Sequence, residues 1–146
     1  MDTQPSEVLA WLEGWIASLP VTPESPADLF VPWHLSPDEL AQVPLDGRFA
    51  ISVESGPDRE SICFESMQIA MTSLWQVGRD TRYRMVDRVR YLRRLFESEA
   101  HNAFAAALSR EMRPVVVESI GYDYTAELGL VIVEIRLGLV YHVDPS

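Results

Sequence analysis

Apolar side chains fall on every second position from Gly129 to Val143: Val131, Val133, Ile135, Leu137, Leu139, Tyr141 and Val143. Period-two spacing sustained that far predicts a terminal strand about twice the ordinary length. Such a strand must be paired along most of its course, because an open edge of that length invites aggregation. The segment before it, Val115 to Tyr124 after Pro114, predicts an antiparallel neighbour, with Thr125-Ala126-Glu127-Leu128-Gly129 as the turn. Two further strands are predicted upstream. Arg48–Glu54 carries Phe49, Ile51 and Val53 on one face, and Ile62–Val77 carries Met67, Ile69, Met71, Trp75 and Val77. Between them Ser55-Gly56-Pro57-Asp58-Arg59-Glu60 reads as a turn-rich break, and Ser66, Gln68, Thr72 and Gln76 make the other face of the second strand wet.

Helical spacing occurs in three places. Val8, Leu12, Trp15 and Leu19 form one stripe, with Ser6 as the expected N-cap and Pro20 as the stop. Met85, Val89, Leu92 and Phe96 form a second over Arg82–Phe96, capped by Asp80 or Thr81. Ala100, Phe104, Leu108 and Met112 form a third after a break at Ser98. Residues 20–45 hold six prolines among Leu29, Phe30, Val31 and Trp33, which predicts an irregular arm lying on the domain or on a neighbouring subunit. The expected fold is therefore a single α+β domain over residues 1–146. It has a mainly antiparallel sheet of about four strands packed by two or three helices, an N-terminal helix (about 6–19) and a proline-rich arm (about 20–45).

The C-terminal pattern also carries a resemblance. Gly121-Tyr122-Asp123-Tyr124, a short acidic turn and a long β-branched strand ending in Val140-Tyr141 resemble the C-terminus of lambda-type tail terminator (tail completion) proteins of long-tailed bacteriophages. In that family a strand precedes a helix that leads to the final hairpin, and here Met67–Gln76, Arg82–Phe96 and Val115–Val143 follow that order. The resemblance implies a virion structural protein, a homohexameric ring that sits on the finished tail tube. It implies a halt to tube polymerisation and a surface that joins tail to head. The implied partners are other copies of itself, the tail tube protein and the head–tail connector protein. The implied location is the head-proximal end of the virion tail, after assembly in the host cytoplasm. The Pro20–Pro44 arm is longer and richer in proline than the family's simplest members, so its role does not carry over.

Composition sharpens the picture mainly through charge. The net charge is −10, yet it is polarised: residues 1–47 hold eight acids and no Arg or Lys, and residues 79–94 hold seven Arg against Asp80 and Asp87. No Lys occurs anywhere. The total disfavours specific nucleic-acid binding. A solvated helix face accounts for the basic segment equally well as a basic helix that meets acidic surface on another copy, where planar Arg forks suit carboxylates. No apolar run approaches the roughly 18 residues a membrane span needs. With no basic residue before Arg48, neither a signal nor a transit peptide is expected. Cys63 stands alone, which precludes an internal disulfide and suits a reducing compartment.

A catalytic constellation is not visible. His34, His101 and His142 are scattered without metal-ligand spacing, Cys63 reads as a small buried hydrophobe, and no glycine-rich phosphate loop occurs. Glu97, Glu99 and His101 flank a helix boundary, where acids are favourable in any case. Tyr122-Asp123-Tyr124 suits cross-strand aromatic packing, Trp15 and Trp75 suit the core, and Trp11 and Trp33 are less easily placed inside. We therefore expect no enzyme, no cofactor and no metal, but a protein that works through surfaces. The candidate subunit-interface residues are Arg82, Arg84, Arg88, Arg90, Arg94 and Trp33. Those for contact with the tail tube are Gly56, Pro57, Asp58, Arg59 and Glu60. A head–tail connector or stopper component is the alternative within virions, and a small α+β ligand-binding domain or enzyme the alternative outside them.

Overall fold

The computed structural model describes residues 2–19, 46–76, 82–125 and 129–145. Within them the chain forms helix α1 (Pro5–Ala17), strands β1 (Asp46–Arg59) and β2 (Phe64–Gln76), helices α2 (Arg82–Ser98) and α3 (Ala100–Leu108), and strands β3 (Val116–Thr125) and β4 (Leu130–His142). The four strands make one open antiparallel sheet in the order β1-β2-β4-β3, and the three helices complete a small α+β domain. The expected fold class is the observed one.

Strand β4 lies inside the sheet. It pairs with β2 along the whole of Phe64–Gln76 and with β3 from Val116 to Thr125, so its length is satisfied on both sides. The alternation read from the sequence becomes burial without exception: Val131, Val133, Ile135, Leu137, Leu139, Tyr141 and Val143 all face the core. Each such side chain contributes roughly 1.5–3 kcal/mol on leaving water. Met67, Ile69, Met71 and Trp75 of β2 stand beside them in the same layer. Ser73 takes the remaining inward place, and its Oγ accepts the indole N–H of Trp75 at 2.9 Å. Burial of the hydroxyl is offset by that bond.

The helices cover one face. Val8, Leu12 and Ile16 of α1 are fully buried, as are Phe96 of α2 and Phe104 of α3. Trp15 meets Phe96 with ring centroids 5.7 Å apart, and Trp11 meets Phe104 edge-on at 5.1 Å. Trp11 thus belongs to the helix–helix core; its stacking on Trp15 at 5.9 Å supplies the apolar neighbour that one-stripe counting did not show. α1 lies nearest β1, and α2 lies against β3 and α3.

Several local expectations change. Helix α1 begins at Pro5 behind Gln4, not at a Ser6 cap; proline at the first helical position has the right φ and lacks only an N–H that would have no helical partner. Strand β1 runs through Ser55–Arg59 where a turn was expected. It does so by shifting register on β2 between Asp46 and Phe49, between Val53 and Ser55, and between Ser55 and Asp58. Bulges absorb Gly56 and Pro57, residues that a regular strand disfavours. The turn proper is Glu60–Cys63, closed by the amides of Glu60 and Ser61 on the Phe64 carbonyl at 3.0 and 3.2 Å. Cys63 is therefore a half-buried turn residue and not a strand hydrophobe. Met112 is buried as expected but after the helix, in an antiparallel bridge to Tyr141. Ser109, in left-handed conformation at φ 55°, has already ended α3.

Candidate functional surfaces

The residues anticipated for contact with a tube gather at one end of the sheet. Every residue from Ser52 to Ile62 is exposed, so the outer part of β1 and the turn after it form an exposed edge of the sheet, while their partner β2 stays paired with β4 up to Phe64. Ile62, at the turn, is 66% exposed, and Val53 is 45% exposed. Gly56, Pro57, Asp58 and Arg59 lie in the bulged strand, and Glu60 opens the turn. Arg59 Nε donates to the Ser61 carbonyl at 3.3 Å and stiffens the tip. Gly56 has φ +96°, and a Cβ there would sit 2.7 Å from the Ser66 carbonyl oxygen, so the close approach of the two strands requires glycine.

The arginine helix divides. Arg84, Arg90 and Arg94 are exposed, as anticipated for an interface. Arg88 is half-buried instead, its guanidinium 5.1 Å from the centre of the Trp75 ring. A cation over an aromatic face anchors the helix to β2 and removes Arg88 from the outward set. Arg93 is occupied by Glu97 one turn on, at 2.9 Å. Tyr83 and Val86 are exposed among these charges, at 67% and 44%. The Arg82 side chain and Trp33 lie outside the described residues, as do the proline-rich arm, His34 and the expected Asp80 or Thr81 cap.

On the side of the sheet away from the helices the structure brings together a charge cluster that the sequence reading missed. Arg136 Nε donates to Glu134 Oε1 at 2.7 Å and pairs with Glu54 of β1 at 3.3 Å. The bond to Glu134 and the charges of Glu54 and Glu118 raise its already high pKa further. Beside it, Gln68 of β2 donates to Glu118 of β3 at 3.2 Å, reaching over Gly138 of β4. All four strands are thus tied across one face. The signal lay in the alternation: Glu134 and Arg136 occupy the outward positions of β4. These are surface pairs in water, where solvent screening leaves them little weight in stability.

The end of β2 and β4 next to the β1–β2 turn holds a second group, and there the Val143 N–H donates to the Cys63 carbonyl at 2.7 Å. Tyr141 O–H donates to Glu65 Oε2 at 3.1 Å. Phe64 stands edge-on to His142 at 5.7 Å, and the Arg113 guanidinium lies 4.4 Å from the Phe64 ring centre. The backbone N–H of Asp144 donates to Asp2 at 2.8 Å, and Arg110 bonds Thr3. These contacts hold the two ends of the described chain together. His101 Nδ1 is buried without a hydrogen-bond partner among the described residues. Tyr122 lies opposite Val133 and half-buried, where burial and then Tyr124 push its pKa up, whereas Tyr124 is 61% exposed. Among the described residues no group of three His, Cys, Asp or Glu gathers as a metal site, and no helix is long and apolar enough to cross a membrane.

No family model and no curated protein matches the chain.

Proposed function

We propose that this protein works as a self-assembling virion component of the tail-terminator kind. Copies form a ring on the completed tail tube, stop further tube polymerisation and offer the surface that joins tail to head. The observation that carries the reading is the placement of the surfaces. Ser52–Ile62, exposed throughout, forms the outer part of the β1 edge and the turn at one end of the strands, while the β1 and β3 edges lie at the sides of the sheet. Ends suit stacking on a tube, and sides suit contact between neighbouring copies. The sequence of strand, helix and terminal hairpin, which carries the resemblance, is compatible with this assignment. The basic outer face of α2 and the exposed Tyr83 and Val86 add an interface-like mixture of arginine and apolar area.

The test is an in vitro tube-polymerisation assay with the cognate tube protein. Added protein should arrest elongation and be found at one tube end by electron microscopy. Ile62→Asp should weaken that arrest while leaving the oligomer intact by light scattering. Tubes that elongate unchanged in the presence of excess protein would refute the reading. Binding to the head-side connector with no effect on tubes would favour a connector or stopper role instead.

A further inference from the structure

The two edges of the sheet differ in their readiness to accept another strand. The outer edge of β1 is broken by three register shifts and by Pro57, which has no N–H to offer; its regular stretch is Phe49–Val53. Strand β3 has one shift, between Val117 and Ser119, and then runs in unbroken register on β4 from Ser119 to Thr125, with no proline and no basic side chain. Val116 and Tyr124, near its two ends, are 59% and 61% exposed. From Ser119 onward this edge has neither proline nor bulge, which makes it the more regular of the two templates for pairing.

Strand direction decides which copy of the chain can fill it. Neighbours alternate in direction across β1-β2-β4-β3, so β3 runs opposite to β1. A second copy, rotated about an axis parallel to the strands, keeps its strand directions. Its β1 therefore arrives antiparallel to β3 and continues the sheet in the sense already present. The helix layer has a matching polarity along the same line. α1, beside β1, lies in a segment with Asp2, Glu7 and Glu13 and no Arg or Lys through Leu19. α2, beside β3, exposes Arg84, Arg90 and Arg94 against Asp87, besides Arg93 paired with Glu97. The step that brings β3 to the next β1 also brings the basic helix towards the acidic one, and opposite potentials favour that orientation over its reverse.

We infer that copies of this chain join head to tail, with the β3 edge of one against Phe49–Val53 of β1 in the next, and with α2 beside the next copy's α1. The inference rests on the self-assembly part of the proposed function and names its two surfaces. Contacts of this kind are heterologous, and they close into a ring when the rotation permits.

Disulfide trapping tests it. In a Cys63→Ser background, Ala50→Cys or Ser52→Cys marks β1, and Ser119→Cys or Asp123→Cys marks β3. All four positions project from the face away from the helices, as their partners Thr72, Ala70, Arg136 and Ile132 do. Directly opposed positions on paired strands place Cβ atoms about 4.5–5.5 Å apart, at the edge of disulfide reach. Co-expressed pairs of one β1 and one β3 variant should give covalent dimers on mild oxidation in at least one combination, and no variant alone should do so. Dimers from a β3 variant alone would overturn the inference, because two β3 edges would then be meeting. So would the absence of dimers in all four combinations from protein that light scattering shows to be assembled; self-assembly would survive through another surface. A protein that stays monomeric at high concentration refutes the self-assembly reading itself.

Discussion

Tyr141→Phe separates one hydrogen bond from the packing around it. The ring is fully buried between β2 and the Met112 bridge, and the substitution keeps its volume. What is lost is the bond to Glu65 at 3.1 Å. A hydrogen bond to a charged acceptor is worth about 1.5–3 kcal/mol, and Glu65 keeps access to water once its partner is gone, so the expected loss is about 1–1.5 kcal/mol near pH 8. The dependence on pH is the sharper signature. Burial first, then the Glu65 bond and the charges of Glu65 and Asp2, raise the phenol pKa well above its ordinary value of 10.0. Below pH 10 the phenol is protonated both folded and unfolded, and its contribution is complete. Above pH 10 the unfolded chain releases the proton while the folded one retains it. The contribution then falls by up to about 1.4 kcal/mol per pH unit until the folded group also ionises. The phenylalanine variant lacks this decline. Urea midpoints of the two proteins should thus differ at pH 8 and meet or cross near pH 11. Curves that stay parallel from pH 8 to pH 11 would refute the assignment of that proton, and equal midpoints at pH 8 would refute the bond.

Three further outcomes are expected. Gly56→Ala forces a side chain into positive φ and against the Ser66 carbonyl, so it should cost about 1–3 kcal/mol in urea denaturation. Gly138→Ala meets the movable Glu118 carboxylate at 3.0 Å and should cost less than Gly56→Ala. Phe104→Ala removes a fully buried ring that Trp11 meets edge-on, and should lower stability by about 3–5 kcal/mol with blue-shifted tryptophan emission lost. Arg90→Glu combined with Arg94→Glu changes exposed residues only; it should leave the thermal midpoint within about 2 °C while weakening self-association in light scattering at low salt.

The alternation of apolar and polar residues by itself determined the sheet. Six inward positions in β4 leave one register that buries them all, and a slip of one residue would expose every one. The stripes in α1 and α2 determined the helices by the same reasoning at a period near 3.6. Local pattern fails where a residue's role depends on what stands opposite. Ser55–Arg59 has the composition of a turn, yet backbone pairing with Glu65–Gln68 holds it as a bulged strand. Arg88 is indistinguishable from Arg84 and Arg90 along the helix, and only Trp75, on another element, draws it inward. The link from Glu54 through Arg136 to Glu134 joins strands 80 positions apart in the chain, and no window of sequence contains such a contact. The strand order β1-β2-β4-β3 was also settled only in three dimensions, because hydrophobic periodicity records which face is buried and carries no information about which neighbour lies beside it.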